Sequence, residues 1–142
     1  MVNAQAPSSC SIDVRVRYAE CDPMGVLHHA MHPVYLEMGR TELLRQSGYT
    51  YKDIESRGVY LVITRLELRY RSPARYDDLL TIRTTLRRMT HTRIEHHYEI
   101  AVGSRVVCEA SSTLACVDRD ARVQPLPEEI LALAGDRAQT DS

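Results

Sequence analysis

Several side chains between Tyr18 and Arg40 could do chemistry at close quarters. Asp22 supplies a carboxylate inside a turn-prone run, Glu20-Cys21-Asp22-Pro23-Met24-Gly25, and His28, His29, His32 and Glu37 follow it. The run leaves a strand, turns and enters a helix, so Asp22 stands near a helix start. Unpaired backbone N–H groups point outward there and favour negative charge. A carboxylate facing such donors suits attack on an acyl carbonyl, as nucleophile or as general base. The plainer reading of Asp22 is an N-cap or Asx turn that bonds its own backbone, and the Asp-Pro context taken alone favours it.

The neighbouring groups carry alternatives. Glu37 could serve as the carboxylate in reserve, although an i,i+3 ion pair with Arg40 accounts for it as well. Cys21, Asp22, His28, His29 and His32 offer metal donors, but their spacing matches no zinc motif and Pro33 sets the helix start among them. His96 and His97 are adjacent on a strand and face opposite sides, which predicts one at an interface and one in solvent. Arg87, Arg88 and Arg93 read equally as a solvated sheet face or as a positive rim for phosphates.

The elements that must position these groups follow from periodicity. Ile12, Val14, Val16 and Tyr18 alternate with Asp13, Arg15 and Arg17, which predicts a half-buried strand. A helix starts between His29 and Pro33 and ends at Ser47-Gly48, with Val34, Met38, Leu43, Leu36 and Leu44 on its apolar side. A short helix, Tyr51 to Arg57, comes next. Four strands follow: Val59–Arg71, Leu79–Arg88, Ile94–Val102 and Val106–Asp118, the last three joined by short turns. A last short helix runs from Pro127 to Ala134. Residues 1–11 are expected to form a disordered leader, 12–134 one domain, and 135–142 a disordered tail. This is an α+β arrangement, one long central helix on a curled antiparallel five-stranded sheet.

Composition narrows the field. The net charge of −1 gives no basic balance for nucleic acid, and no apolar run is long enough to span a membrane. Four cysteines without a CxxC pair and a start unlike a signal peptide point to reduced thiols in the cytoplasm, with Cys108 and Cys116 buried. The chain has no Phe and no Trp, so its eight Tyr share the interior, and buried ones need hydroxyl partners.

Two separated motifs then carry a resemblance. Tyr18, Glu20, Asp22, Gly25, His29, Glu37 and Arg40 form one, and Tyr70-Arg71-Ser72-Pro73-Ala74-Arg75-Tyr76-Asp77-Asp78 forms the other. Together they resemble the hotdog-fold acyl-CoA thioesterases of the 4-hydroxybenzoyl-CoA thioesterase family, including its YbgC-type members, from about Val14 to about Pro127. The resemblance implies hydrolysis of an acyl-CoA thioester, with Asp22 as nucleophile or general base. The backbone N–H of His29 would polarise the carbonyl, and Gly25 would shape the loop. It implies CoA contacts at Thr90, His91, Thr92 and Arg93, and dimers or tetramers of dimers with each site between subunits. Met24 and Tyr60 would line the acyl cleft. Acyl carrier protein is an alternative carrier, and a non-catalytic acyl-CoA-binding module is the rival reading. No metal or redox cofactor is required, since a thiol of pKa about 8.5 leaves readily. The chain departs from the family pattern in its Met24, in a Thr90–Arg93 turn less basic than in some relatives, and in its wealth of histidine.

Overall fold

In the computed structural model, which describes residues 7–139, the chain folds as one long helix laid on an antiparallel sheet. The order is β1 (Ser9–Arg15), α1 (His32–Gln46), α2 (Tyr51–Ser56), β2 (Tyr60–Tyr70), β3 (Leu79–Thr90), β4 (Arg93–Val102), β5 (Arg105–Val117), α3 (Glu128–Leu131) and β6 (Ala138–Gln139). The five main strands run β1-β3-β4-β5-β2, each antiparallel to its neighbour, and β6 adds a short parallel pairing at Met89–Thr90. This is the expected α+β architecture.

The ends of the domain differ from expectation. β1 begins at Ser9 rather than Ile12, because Cys10 continues the inward face of Ile12 and Val14 and is buried. The flanking serines hid that continuation in the sequence, and the leader is thereby shortened. Its first six residues lie outside the described residues. The tail is not wholly irregular, since a 3-10 turn at Ala132–Arg137 leads into β6, and residues 140–142 again lie outside the description.

Helix α1 is rotated from the face its apolar residues suggest. His32, Tyr35, Leu36, Gly39, Arg40 and Leu43 are buried, at i, i+3, i+4, i+7, i+8 and i+11, while Val34 and Met38 stay 47 and 42 % exposed. The cause is close approach at Gly39, where a Cβ would stand 2.2 Å from Thr84 Oγ1 of β3. The helix turns its one side-chain-free position to the sheet, and that choice carries His32 and Arg40 inward.

The core has two parts. Tyr35 and Leu36 pack with Leu80, Ile82, Tyr98, Ile100 and Val107, and Leu43 packs with Ile54, Leu86, Ile94, Leu114 and Ile130. The buried tyrosines find the partners they need: Tyr98 with Ser112 Oγ at 2.6 Å, Tyr35 with Glu20 at 2.6 Å. All four cysteines are free thiols, and burial pushes that of Cys108 up to about 11. Among the described residues no helix is long and apolar enough to cross a membrane.

Candidate active site

The strand–turn–helix passage is a closed loop. A single 3-10 turn, Tyr18–Glu20, ends β1's continuation, and Cys21 then bridges back to Leu27. Within that bridge the Asp22 N–H donates to the Val26 carbonyl at 2.8 Å, and the Gly25 N–H donates to the Asp22 carbonyl at 2.9 Å. Gly25 closes the turn with φ +79°, a left-handed backbone that side chains resist. Asp22 Oδ1 accepts from Met24 N at 2.9 Å and Val26 N at 3.4 Å. The Asx-turn reading therefore describes one oxygen of this carboxylate. Oδ2 has no partner among the described residues.

A second 3-10 turn, His29–Met31, leads into α1. His28 caps it: its Nδ1 accepts from Ala30 N at 3.0 Å and its carbonyl from Met31 N at 2.9 Å. That leaves the His29 N–H without a protein acceptor among the described residues. The His29 carbonyl is held from two sides, by the Tyr70 hydroxyl at 2.9 Å and by His32 Nδ1 at 3.2 Å. Tyr70 also meets the His32 ring edge-on at 4.8 Å. Burial lowers the His32 pKa, so its imidazole is neutral at pH 7. These bonds tie the helix start to the end of β2.

The two motifs meet here. Leu27 N donates to the Ala74 carbonyl at 2.7 Å, and Val26 bridges Arg75. Residues 72–78 thus form the floor on which the Asp22 loop rests.

The remaining candidates are elsewhere. Thr90, His91, Thr92 and Arg93 occupy the β3–β4 hairpin, and β3 runs from Leu79, beside the loop, to Thr90, about 35 Å away at the usual rise per residue. Thr90 is buried, and its hydroxyl accepts from Thr92 N at 3.3 Å and Arg93 N at 3.0 Å, so it shapes the turn. Tyr60 stands at that same far end of β2, paired with Val117. Met24 stays with the loop, 83 % exposed. Glu37 is solvent-exposed and 3.7 Å from Arg40. Arg88 pairs with Glu95 at 2.9 Å, and Arg87 faces a hollow with Glu67, Arg69, His97 and Glu109 on the sheet side opposite α1. His96, expected at an interface or in solvent, is instead a core residue, its pKa pushed down to about 3 by burial and by the nearby Arg40 charge. Among the described residues no three His, Cys, Asp or Glu side chains converge on a metal position.

Comparison with known proteins fits this geometry. The profile of the Thioesterase-like superfamily matches residues 16–133. The chain belongs to that superfamily. It is 32 % identical over 122 residues to the acyl-CoA thioester hydrolase YbgC of Escherichia coli O157:H7, covering 84 % of this chain and 90 % of that one. It is 30 % identical over 109 residues to the putative acyl-CoA thioesterase YneP of Bacillus subtilis (strain 168), covering 76 and 79 %. The crystal structure of a probable thioesterase from Bartonella henselae superposes with a TM-score of 0.80 at 28 % identity, over 84 % of this chain and 99 % of that one. The thioesterase-like chain is therefore a hotdog domain, as its sequence implied.

Sequence reasoning did not name Tyr35, and it gave Glu20, His28 and Tyr70 none of the positioning bonds that the structure shows. Glu20 was signalled, since a Glu three residues after the residue that starts a turn can reach back to that residue's N–H, and here Glu20 Oε1 accepts from Arg17 N at 2.8 Å. Tyr35 and Tyr70 act across 15 and 41 residues of chain, beyond any local pattern.

Proposed function

We propose that this thioesterase-like chain hydrolyses acyl-CoA thioesters, with the Asp22 carboxylate as nucleophile or general base and the His29 N–H as oxyanion donor. One observation carries the reading: a carboxylate with one oxygen clamped by backbone amides and the other free, on a loop continuous with a helix start whose first N–H is unused. The clamp fixes the direction of Oδ2, and pre-orientation of this kind lowers the barrier without help from a metal. Attack on the thioester carbon puts charge on the carbonyl oxygen, where a helix-terminal N–H contributes a few kcal/mol. The thiolate of CoA then leaves, and water completes hydrolysis to the free acid.

The opposite placement of loop and hairpin bears on assembly. The β2 edge has one strand neighbour and shows Val62, Ile63 and Leu66 at 41, 41 and 39 % exposure. Pairing of two β2 edges about a two-fold axis would cover these side chains. It would also bring the Tyr70 end of one copy beside the Tyr60 end of the other. Asp22, Met24 and His29 from one subunit would then share a substrate with Tyr60, His91, Thr92 and Arg93 of a second copy. Dimers, or tetramers built from them, are the functional unit in this reading. Acyl carrier protein thioesters remain the alternative carrier.

Free-thiol release from benzoyl-, phenylacetyl-, short- and long-chain acyl-CoA, compared between wild type and Asp22→Asn, tests the proposal. Turnover lost in Asp22→Asn with the fold intact supports it, and the best substrate names the acyl class. Full activity in Asp22→Asn refutes the assignment. Absence of turnover combined with stabilisation by CoA esters would make the protein a binding module.

A further inference from the structure

Glu20 is a carboxylate with 6 % exposure, two residues before Asp22, and the mechanism above does not use it. Its Oε1 accepts from the Tyr35 hydroxyl at 2.6 Å and from Arg17 N at 2.8 Å, and its Oε2 accepts from Arg17 Nη2 at 3.2 Å. Its own backbone carbonyl accepts from His28 N at 2.9 Å. One residue therefore closes the loop between Glu20 and His28 and anchors it to α1, since Tyr35 lies in the first turn of that helix and is 1 % exposed. Burial alone would raise the Glu20 pKa, but the bonds from Tyr35 and Arg17 and the Arg17 charge outweigh it and hold the group ionised.

The loop has few other anchors. Pro23, Met24 and Gly25 are exposed, while Leu27 is buried in the core and the half-buried Cys21 packs against the same cluster. Leu27 and Val26 bind the floor at Ala74 and Arg75, and Tyr70 binds the helix start from β2. Among the described residues, the Glu20–Tyr35 bond is the one side-chain hydrogen bond from the Asp22 side of the loop to α1. Without it, the backbone pairings Glu20–His28 and Cys21–Leu27 would still close the loop, but its Asp22 side would lose the hydrogen bond that sets it against α1.

We propose that Glu20 is a positioning residue which, through Tyr35, holds the Asp22 carboxylate in fixed relation to the helix-start amide. This rests on the thioesterase reading above. It predicts a loss in the chemical step rather than in substrate affinity, because a misplacement of about 1 Å costs on the order of a hundredfold in rate. The CoA-binding candidates stand on the hairpin, a separate element supplied by the second copy in the dimer above, and make no contact with this bond, so KM should hardly change.

The test uses the full chain with Tyr35→Phe, which removes a single oxygen, beside Glu20→Gln and Glu20→Ala. Thiol release is measured with amide hydrogen exchange on each variant. Tyr35→Phe should lower kcat about tenfold with KM within about twofold, and speed exchange at residues 21–29 without affecting the β3–β4 hairpin. Glu20→Gln, which keeps an acceptor for Tyr35, should retain more kcat than Glu20→Ala. A Tyr35→Phe enzyme with unchanged kcat, a raised KM, or faster exchange throughout the sheet would overturn the proposal. If wild type cleaves no acyl-CoA, the functional reading fails and exchange alone decides: acceleration confined to residues 21–29 supports the positioning role, and any other pattern refutes it.

Discussion

The two ends of the sheet do different work with similar materials. At one end the Asp22 carboxylate, His28 and His29 are held by hydrogen bonds to backbone groups, with His32 and Tyr70 bracing the helix start, and one Asp22 oxygen and the His29 N–H have no partner among the described residues. At the other end Thr90 is consumed in shaping a hairpin, and His91 and Arg93 stand exposed beside it. The first end is built for fixed geometry, the second for presenting surface. An acyl-CoA has the same division, with a reacting carbonyl that demands orientation and a long polar carrier that needs only to be held. In the proposed reading, one chain would carry both halves of a site that it closes only with a second copy.

The largest expected effect lies at the first end. Asp22→Asn keeps an oxygen able to accept from Met24 and Val26, so the loop should stay folded. The substituted amide is neither nucleophile nor base, and kcat should fall by roughly a thousandfold or more. Thiol release and a melting curve on the same sample separate the two consequences. Loss of activity together with a melting shift beyond a few degrees would mean that Asp22 is mainly an Asx-turn residue.

A mixing experiment tests the division itself. Arg93→Ala alone should raise KM several-fold with kcat nearly unchanged, removing holding and not chemistry. Asp22→Asn and Arg93→Ala subunits would then be co-expressed and assayed below KM. If each site draws its two ends from different subunits, half of random dimers are hybrids, and each has one intact site, giving roughly a quarter of wild-type activity. If both ends of a site came from one subunit, every site in a hybrid would carry one defect and the activity would not exceed the average of the two variants assayed alone.

How far the sequence revealed this arrangement follows the range of each interaction. Strands and helices were legible to within a few residues because their signals are local, and the turn at Asp22–Gly25 and the helix start near His29 were legible because turn and helix-start preferences fall within a few residues, whereas the roles of these residues came from the resemblance. The rotation of α1 was not. Val34 and Met38 look like core, yet close contact between Gly39 and Thr84, 45 positions apart, decides that Arg40 and His32 face inward. His96 was misplaced for the same reason, since its burial depends on a helix from elsewhere in the chain. Nor could spacing show that the Asp22 loop and the Thr90–Arg93 hairpin lie at opposite ends of β3, which needs the strand order and register.

Stability gives a smaller effect that again separates the ends. Asp22→Ala removes the acceptor for two loop amides and should cost about 1 kcal/mol more than Asp22→Asn, although both abolish chemistry. Thr90→Val removes the corresponding acceptor at the hairpin and should cost a similar amount while leaving kcat near wild type. Denaturant midpoints measured beside kcat check both. A Thr90→Val variant that lost kcat would show that the hairpin shares in the chemistry and would erase the distinction.

The smallest effect belongs to the other acidic candidate, Glu37. It sits on α1 between the two ends, its side chain 70 % exposed, and its ion pair with Arg40 at 3.7 Å spans an i,i+3 step. Such a pair is worth a few tenths of a kcal/mol, and a solvated carboxylate without a clamp is not oriented toward a reacting carbon. Glu37→Gln should therefore keep kcat and KM within about twofold of wild type. The comparison gains from this test because α1 borders the surface across which a second subunit would lie. A Glu37→Gln enzyme that lost kcat as fully as Asp22→Asn would place a second carboxylate at the reacting centre. The chemical end of the site would then extend along the helix beyond the loop, and the division between a rigid end and a holding end would have to be redrawn at Glu37.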